Sequence, residues 1–117
     1  MTELHDLEVR INTIYTKLGT RPFEVLMMRG GQIVDLAQSL VRVDTGTLQS
    51  DIRLETIETS PSRVSVAVKA GGTRTNPKTG KICDYAQAVE YKYPFLMPAF
   101  MEIQPMIQED LRRIFYE

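Results

Sequence analysis

The stretch GGTRTNPKTGK, residues 71–81, has the composition of a loop that could bind phosphate. A nucleotide-binding phosphate loop needs a glycine five residues before its Gly-Lys pair and a hydroxyl residue directly after the lysine, because these groups hold the phosphates and the magnesium ion. In this chain the two positions are Thr75 and Ile82. The spacing therefore argues against nucleotide binding, and no cofactor is predicted.

Positive charge is the second chemical feature of this stretch. An exposed basic segment can contact the phosphate backbone of nucleic acid without reading its sequence. The whole chain carries 14 basic and 15 acidic residues, which is not the balance of a general nucleic-acid binder. Two interpretations stay open, a solvated hairpin tip and a loop that contacts DNA or a protein partner. The basic residues concerned are Lys69, Arg74, Lys78 and Lys81.

The other reactive side chains lack the neighbours that catalysis or metal binding requires. His5 is the only histidine, and the sequence places no serine or cysteine to form a dyad with it. Cys83 is the only cysteine, which excludes an internal disulfide, favours a reducing compartment and argues against a zinc site within one chain. Glu90 has apolar neighbours, and we interpret it as a structural acid that needs a partner such as an arginine. We therefore expect no catalytic residue, no metal site and no enzyme activity.

The elements that must position these residues are those of a single α+β domain over residues 1–117. Residues 3–18 carry apolar side chains at steps of three and four, which predicts a first helix. A second helical run begins at Pro22, and we expect a kink or a close helix crossing at Gly30-Gly31, because glycine destabilises a helix interior. The apolar stripe of the first helix consists of Leu4, Leu7, Ile11, Ile14 and Leu18.

After these helices the spacing of the apolar side chains changes from a repeat of 3.6 residues, typical of a helix, to a repeat of 2 residues, typical of a strand. RVSVAVKA, residues 63–70, alternates two faces and predicts a half-buried strand. DIRLETIET, residues 51–59, predicts its antiparallel partner, because turn residues separate the two segments. Residues 71–81 are then expected to project from the domain as a long exposed loop. The valine face consists of Val64, Val66 and Val68, and the other face of Ser65, Ala67 and Lys69.

The remainder of the chain is predicted to be helical. Residues 84–91 fit a short helix better than a strand. A longer helix begins at Pro98, and we expect a kink or a restart at Pro105, which removes a backbone donor. The apolar stripe of this helix is expected to pack on the valine face of the hairpin. It consists of Phe100, Ile103, Ile107, Leu111 and Ile114.

Neither a membrane span nor a signal peptide is expected from this sequence. No apolar run approaches the ~18 residues that a spanning helix needs. The first residues, MTELHDLEVR, are too charged for a signal peptide.

The stretch VDTGTLQSDI, residues 43–52, lies where the helical period ends and the alternating period begins. Gly46 can adopt a positive φ and turn the chain sharply. Leu48 and Ile52 are four residues apart and share a face if a single helical turn follows. These properties predict a corner between helix and hairpin that needs no ligand. The residues that can bond to nearby amides at this corner are Asp44, Thr45 and Thr47.

This stretch resembles the signature of the small tail-completion or head–tail joining (neck) proteins of long-tailed bacteriophages, which has Asp-Thr-Gly, one residue, leucine and a pair that opens a hairpin. A second block, YAQAVEYKYPFLMPAF, resembles the family's Tyr-Ala, Val-Glu-aromatic and Pro-Phe-Leu-x-Pro-Ala run. The two blocks occur in the family's order. The chain departs from the family at Lys92, where glycine is usual, and at Met97, where a basic residue is common. The matching residues are Asp44, Thr45, Gly46, Leu48, Tyr85, Ala86, Glu90, Pro94, Phe95, Leu96, Pro98 and Ala99.

The resemblance implies a structural virion protein. Such a protein forms a ring at the head–tail junction, sixfold in preference to twelvefold, and completes the tail or joins it to the portal or connector around the DNA channel. Its partners would be further copies of itself, the neighbouring portal, connector and tail proteins, and DNA in weak non-specific contact, with no membrane. It would be found in the virion, and in the host cytoplasm during assembly. Ring assembly would also give a use to apolar residues beyond one small core, and ordinary core filling is the alternative for each of the methionines among them. These residues are Phe23, Met27, Met28, Phe95, Met97 and Met101.

An alternative from another functional class is a small nucleic-acid-binding module that uses the basic loop at residues 69–81. A ring protein should form oligomers, whereas such a module should be a monomer whose affinity for DNA falls with added salt.

Overall fold

A computed structural model of the chain describes residues 7–13, 21–41, 46–60, 63–82 and 85–116. His5, Asp44, Thr45 and Cys83 lie outside these residues. The fold is α+β, with a helix in the N-terminal region, a three-stranded antiparallel sheet and a C-terminal helix that packs on the sheet. The elements are β1 (Leu7–Thr13), α1 (Arg21–Leu40), α2 (Thr47–Ser50), β2 (Ile52–Ser60), β3 (Arg63–Ala70), α3 (Ala86–Lys92) and α4 (Leu96–Tyr116).

The central strand of the sheet is β3, which pairs with β1 on one side and with β2 on the other. The antiparallel pairing of β2 and β3 confirms the predicted hairpin strands. The prediction that β3 is half-buried is wrong, because both of its faces are shielded from solvent. On the face away from α1, the small side chain of Ala67 stands between Arg10 and Glu55, its longer cross-strand partners.

The predicted helix over residues 3–18 is also wrong for the part that the structure describes. Residues 7–13 form β1, which pairs with β3 from Leu7 opposite Ala70 to Thr13 opposite Val64. Leu7 and Ile11 are four residues apart, a spacing that is compatible with either period. An unpaired edge of β3 would leave backbone donors and acceptors without partners, and pairing with β1 satisfies them.

The helix α1 covers the valine face of the sheet, in the position that the sequence analysis assigned to the C-terminal helix. It runs through Gly30 and Gly31 without interruption. A Cβ atom built on Gly30 would lie 2.6 Å from Cδ1 of Leu54, so this glycine allows the helix to approach β2 closely. The expected close contact therefore exists, but with a strand and not with another helix. Leu26, Ile33 and Ala37 form the buried side of α1.

The C-terminal helix α4 packs along α1 and reaches the sheet at β1. The predicted packing of its stripe directly on the valine face is wrong, because α1 occupies that face. The helix does not restart at Pro105, which lies within it. Ile103, Ile107 and Ile114 of the predicted stripe are buried, and Phe100 and Leu111 are partly buried. The short helix predicted before α4 is confirmed as α3.

An ion pair joins the two long helices where α1 and α4 meet. Nε of Arg29 lies 2.7 Å from Oδ2 of Asp110, and both side chains are largely shielded from solvent. An open groove of about 400 Å³ lies beside this pair, lined among others by Val25, Met28 and Ile114.

Separate alanine substitutions of Gly30 and Gly31 should have different effects on stability. Both gain about 1 kcal/mol of helix propensity. No atom lies within 4 Å of a Cβ at position 31, so Gly31→Ala should keep this gain. Gly30→Ala should be less stable than Gly31→Ala by about 1–3 kcal/mol, because its methyl group would displace Leu54. Chemical denaturation of the two variants measures this difference, and equal stabilities would contradict the close approach of α1 to β2.

Candidate interaction site

The loop at residues 71–82 is exposed along most of its length and carries a cluster of positive charge. The side chains of Arg74, Lys78 and Lys81 are exposed, and no acidic residue occurs between positions 71 and 82. Lys69 does not belong to this cluster. It lies on β3, and its Nζ is 3.1 Å from Oε1 of Glu55. The structure thus brings together three of the four predicted basic residues.

The start of the loop is held by the carboxylate of Asp51, which is 1% exposed. Its Oδ2 accepts hydrogen bonds from the backbone N–H groups of Thr73 at 2.9 Å and Arg74 at 2.8 Å. Its Oδ1 accepts from the hydroxyl of Thr73 and, at 2.9 Å, from Nη1 of Arg53. A buried carboxylate is costly unless it is paired and hydrogen-bonded, and here both requirements are met. The loop therefore leaves the sheet in a defined direction.

Arg53 connects Asp51 to further polar groups on the face of the sheet that lies away from α1. Its Nη1 also donates to the carbonyl of Gly71 at 2.9 Å, and its Nε donates to Oε2 of Glu55 at 2.7 Å. The Arg53 guanidinium, followed by the Lys69 ammonium, lowers the pKa of Glu55 below its usual value of 4.5. Glu55 therefore stays a carboxylate to a lower pH than a free glutamate does, and this charge pairs with both cations.

The tip of the loop is closed by Asn76, whose side chain is buried although the sequence analysis assigned no core residue to this loop. Its Oδ1 accepts from the backbone N–H of Lys78 at 2.9 Å, and its Nδ2 donates to the hydroxyl of Tyr85 at 3.3 Å. Its backbone N–H donates to the carbonyl of Lys81 at 2.7 Å, and its carbonyl accepts from the N–H of Gly80 at 2.8 Å. Gly80 has φ 71°, which glycine adopts without strain. The loop is therefore held at its start by Asp51 and at its tip by Asn76.

The predicted corner before β2 is confirmed in the described residues 46–52. Gly46 has φ 82°, and the single helical turn α2 follows it. Leu48 and Ile52 are both buried, as their spacing predicts. Gln38 of α1 and Gln49 of α2 each donate from the side-chain amide to the other's backbone carbonyl, at 3.2 and 2.9 Å, which joins the end of α1 to the corner.

Glu90 has a structural role, but its partners are backbone amides and not an arginine. Its carboxylate accepts hydrogen bonds from the N–H groups of Phe95 at 3.1 Å, Leu96 at 2.8 Å and Met97 at 3.2 Å. The next residue, Pro98, has no N–H. Every donor that the start of α4 leaves without an intrahelical partner is therefore bound by one side chain, whose negative charge also suits a helix N-terminus.

The remaining residues of the second block divide between core and surface. Ala86, Phe95, Leu96 and Ala99 are buried, whereas Pro94 and Pro98 are exposed. Phe95 is completely buried, so the expectation that it contributes to ring contacts is wrong. Of the other residues proposed for such contacts, Phe23 and Met27 are partly buried against the core, and Met28, Met97 and Met101 are exposed.

Asp51, Arg53 and Asn76, which position the loop, were not predicted from the sequence. The signal for Asp51 was present, because a charged residue stands directly before a buried isoleucine at the start of a strand. Its partners were not visible, since Thr73 and Arg74 lie more than twenty residues along the chain.

No protein-family model, curated protein or solved structure matches this chain. The family relationship therefore remains a proposal that rests on the two blocks. Among the described residues, no group of three or more histidine, cysteine or acidic side chains could hold a metal ion. None of the described helices is both long and apolar enough to cross a membrane.

Replacing Asp51 with asparagine should destabilise the protein by about 1.5–3 kcal/mol, the range for hydrogen bonds to a charged group. An amide offers only one acceptor oxygen, and its NH₂ group would face donors that Asp51 now satisfies. Asp35→Asn is the matched control, because Asp35 is exposed on α1, and its cost should stay within about 0.5 kcal/mol. Denaturant unfolding measures both variants, and equal costs would show that Asp51 does not anchor the loop.

Replacing Glu90 with glutamine should destabilise the protein by about 0.5–2 kcal/mol, as loss of a helix cap does. The first turn of α4 should lose the most protection, seen as faster hydrogen exchange at the amides of Leu96 and Met97. Glu102→Gln, an exposed change of the same chemistry on α4, is the control and should leave these exchange rates unchanged. Unchanged exchange in Glu90→Gln would contradict the capping role.

Proposed function

We propose that this chain is a structural virion protein of a long-tailed bacteriophage. It assembles into a ring at the head–tail junction, where it completes the tail or joins it to the portal or connector around the DNA channel. In this proposal the chain has no catalytic role, and it acts by presenting surfaces to neighbouring copies and neck proteins.

The observation that carries the proposal is where the two blocks lie in the fold. The first block contains the turn from α1 into β2, with Gly46 at positive φ and Leu48 in the core. The second block forms α3 and caps α4, with Glu90 on the amides and Phe95 in the core. A chance resemblance would not be expected to fall on the residues that determine both junctions, so their placement supports membership of the neck-protein family.

The surface of the molecule also supports a role in assembly. The basic loop is held by buried polar contacts, while its Arg74 and Lys81 side chains are exposed. Long exposed side chains on a fixed backbone suit contact with a macromolecule, because little backbone entropy is lost on binding. Met97 and Met101 add exposed apolar surface on α4. In a ring these features recur around the axis, and DNA in the channel would meet only weak, sequence-independent contacts.

Changing Arg74, Lys78 and Lys81 together to serine should lower the yield of joined particles and leave the fold intact. The side chains are exposed, so each change should cost at most about 0.5 kcal/mol. The measurement is complementation of a phage that encodes this chain and lacks a working copy of its gene. Infectious titre and electron microscopy of free heads and free tails report the result.

The matched control replaces Arg10, Arg63 and Arg112, three exposed arginines outside the loop, with serine, and should keep the titre. Normal joining of heads and tails in the complete absence of the chain would overturn the proposed function. Full titre from the loop variant would show that the loop has no part in the proposed function. A monomer that binds DNA with salt-sensitive affinity would favour the nucleic-acid-binding module instead.

A further inference from the structure

Four large apolar side chains lie exposed within eleven residues at the junction of α3 and α4. We call this surface the apolar row, and it consists of Tyr91, Tyr93, Met97 and Met101, which are 88, 48, 50 and 65% exposed. Single exposed apolar residues are ordinary, but a group of this kind on one short segment marks an interaction surface. Tyrosine and methionine are also the residue types that protein interfaces favour.

The fold gives no reason for the row to be apolar. The buried side of this segment is supplied by Phe95, Leu96 and Ala99, which are almost completely inaccessible. Met97 and Met101 are four residues apart, so they lie on the same side of α4. At the foot of Met97 is a small depression of about 50 Å³, lined by Val9 and Leu96 and also by the two acidic residues Glu8 and Glu90. The row therefore offers both projecting side chains and a recess to a partner.

The charges next to the row indicate the chemistry of that partner. Glu102 follows Met101 directly in the sequence, and its exposed side chain makes no hydrogen bond or ion pair with any residue in the part of the chain that the structure describes. The basic loop has complementary properties. Lys81 is exposed, its Nζ has no carboxylate partner among the described residues, and the adjacent Ile82 is 54% exposed. The loop therefore carries an exposed isoleucine next to a lysine, and α4 carries the apolar row next to a glutamate. The two surfaces are complementary in both apolar character and charge.

We propose that the apolar row binds the loop at residues 71–82 of a second copy of this chain, with Ile82 against Met97 and Met101 and with Lys81 opposite Glu102. The inference rests on the proposed function, since a ring supplies the second copy. Two different surfaces of one chain form this contact, so it is heterologous, and heterologous contacts close into rings when the rotation permits.

The internal bonds of both surfaces prepare them for this contact. Asp51 and Asn76 hold the loop backbone, and Glu90 holds the amide of Met97 at the start of α4. Binding then orders side chains more than backbone, which reduces its entropic cost. The methionines can adjust to the shape of the incoming loop, because the thioether chain is flexible and polarizable.

The first test compares oligomer mass over a range of protein concentrations by size-exclusion chromatography with light scattering. Met97→Ser combined with Met101→Ser should raise the concentration at which the wild type assembles by at least ~tenfold, the change expected when an interface loses central apolar anchors. The control is Met28→Ser combined with Met106→Ser, which removes two exposed methionines outside the row. It should assemble as the wild type does, and circular dichroism should show that both variants fold.

The second test exchanges the proposed charge pair. Lys81→Glu and Glu102→Lys should each weaken assembly, because each places like charges opposite one another. The double variant should recover most of the assembly that each single variant loses. Only a direct contact between these two side chains predicts this recovery.

Three results of the assembly measurements would overturn the inference: a wild type that stays monomeric at every concentration, assembly that tolerates the loss of Met97 and Met101, and a double charge variant that assembles no better than the single ones. None of these bears on whether heads and tails join without the chain, which tests the proposed function separately. Loss of DNA affinity in Lys81→Glu with unchanged assembly would likewise overturn it and assign the loop to nucleic acid.

Discussion

The buried carboxylate of Asp51 is the constraint on which the corner, the sheet and the basic loop together depend. It lies between α2 and β2, so the turn that starts at Gly46 determines its position. From there it accepts hydrogen bonds from Thr73 and Arg74, just after β3 ends, and forms an ion pair with Arg53. A carboxylate without these donors would not be stable in the interior, and without it the amides of Thr73 and Arg74 would lose the acceptor that fixes their position. The path of the loop is therefore linked to the formation of the corner.

Glu90 has a comparable role to Asp51 in the second block. Like Asp51, it binds backbone N–H groups of a segment that follows it, in this case the first turn of α4. Backbone amides are common to all residues except proline, so the recognised segment is constrained in path but little in sequence. Arg74 and Met97 illustrate the result, because the amide of each is bound by a carboxylate while its side chain is exposed. Side chains at such positions can serve contacts with other molecules without affecting the fold.

Local patterns predicted the elements whose structure is decided by nearby residues. The periods of α1, β3 and α4 identified them correctly, and the freedom of Gly46 to adopt positive φ was enough to locate the corner. The strand β1 was assigned wrongly because its partner in β3 is more than fifty residues away. Local spacing carries no information on such a distant pairing.

The candidate site was predictable only in part, for a similar reason. Exposure of Arg74, Lys78 and Lys81 follows from the polar composition of their loop. The separation of Lys69 from them follows from its pairing with Glu55 of the neighbouring strand, which depends on sheet register. Glu90 was predicted to need a partner such as an arginine, and its partners are the amides at the start of α4, which lie within seven residues of it along the chain. Side-chain chemistry indicated that a partner was needed, and the tertiary path determined which one.

The pairing of β1 with β3 also affects the order in which the strands can fold during synthesis. The residues of β1 are synthesised before those of β3, which is its only hydrogen-bonded neighbour among the described strands and ends at Ala70. Because β2 and β3 are joined by a connection of two residues, they can pair as soon as both have emerged. Closing the much longer loop back to β1 carries a larger entropic cost. Until synthesis has passed β3, the residues of β1 therefore lack the strand with which they pair.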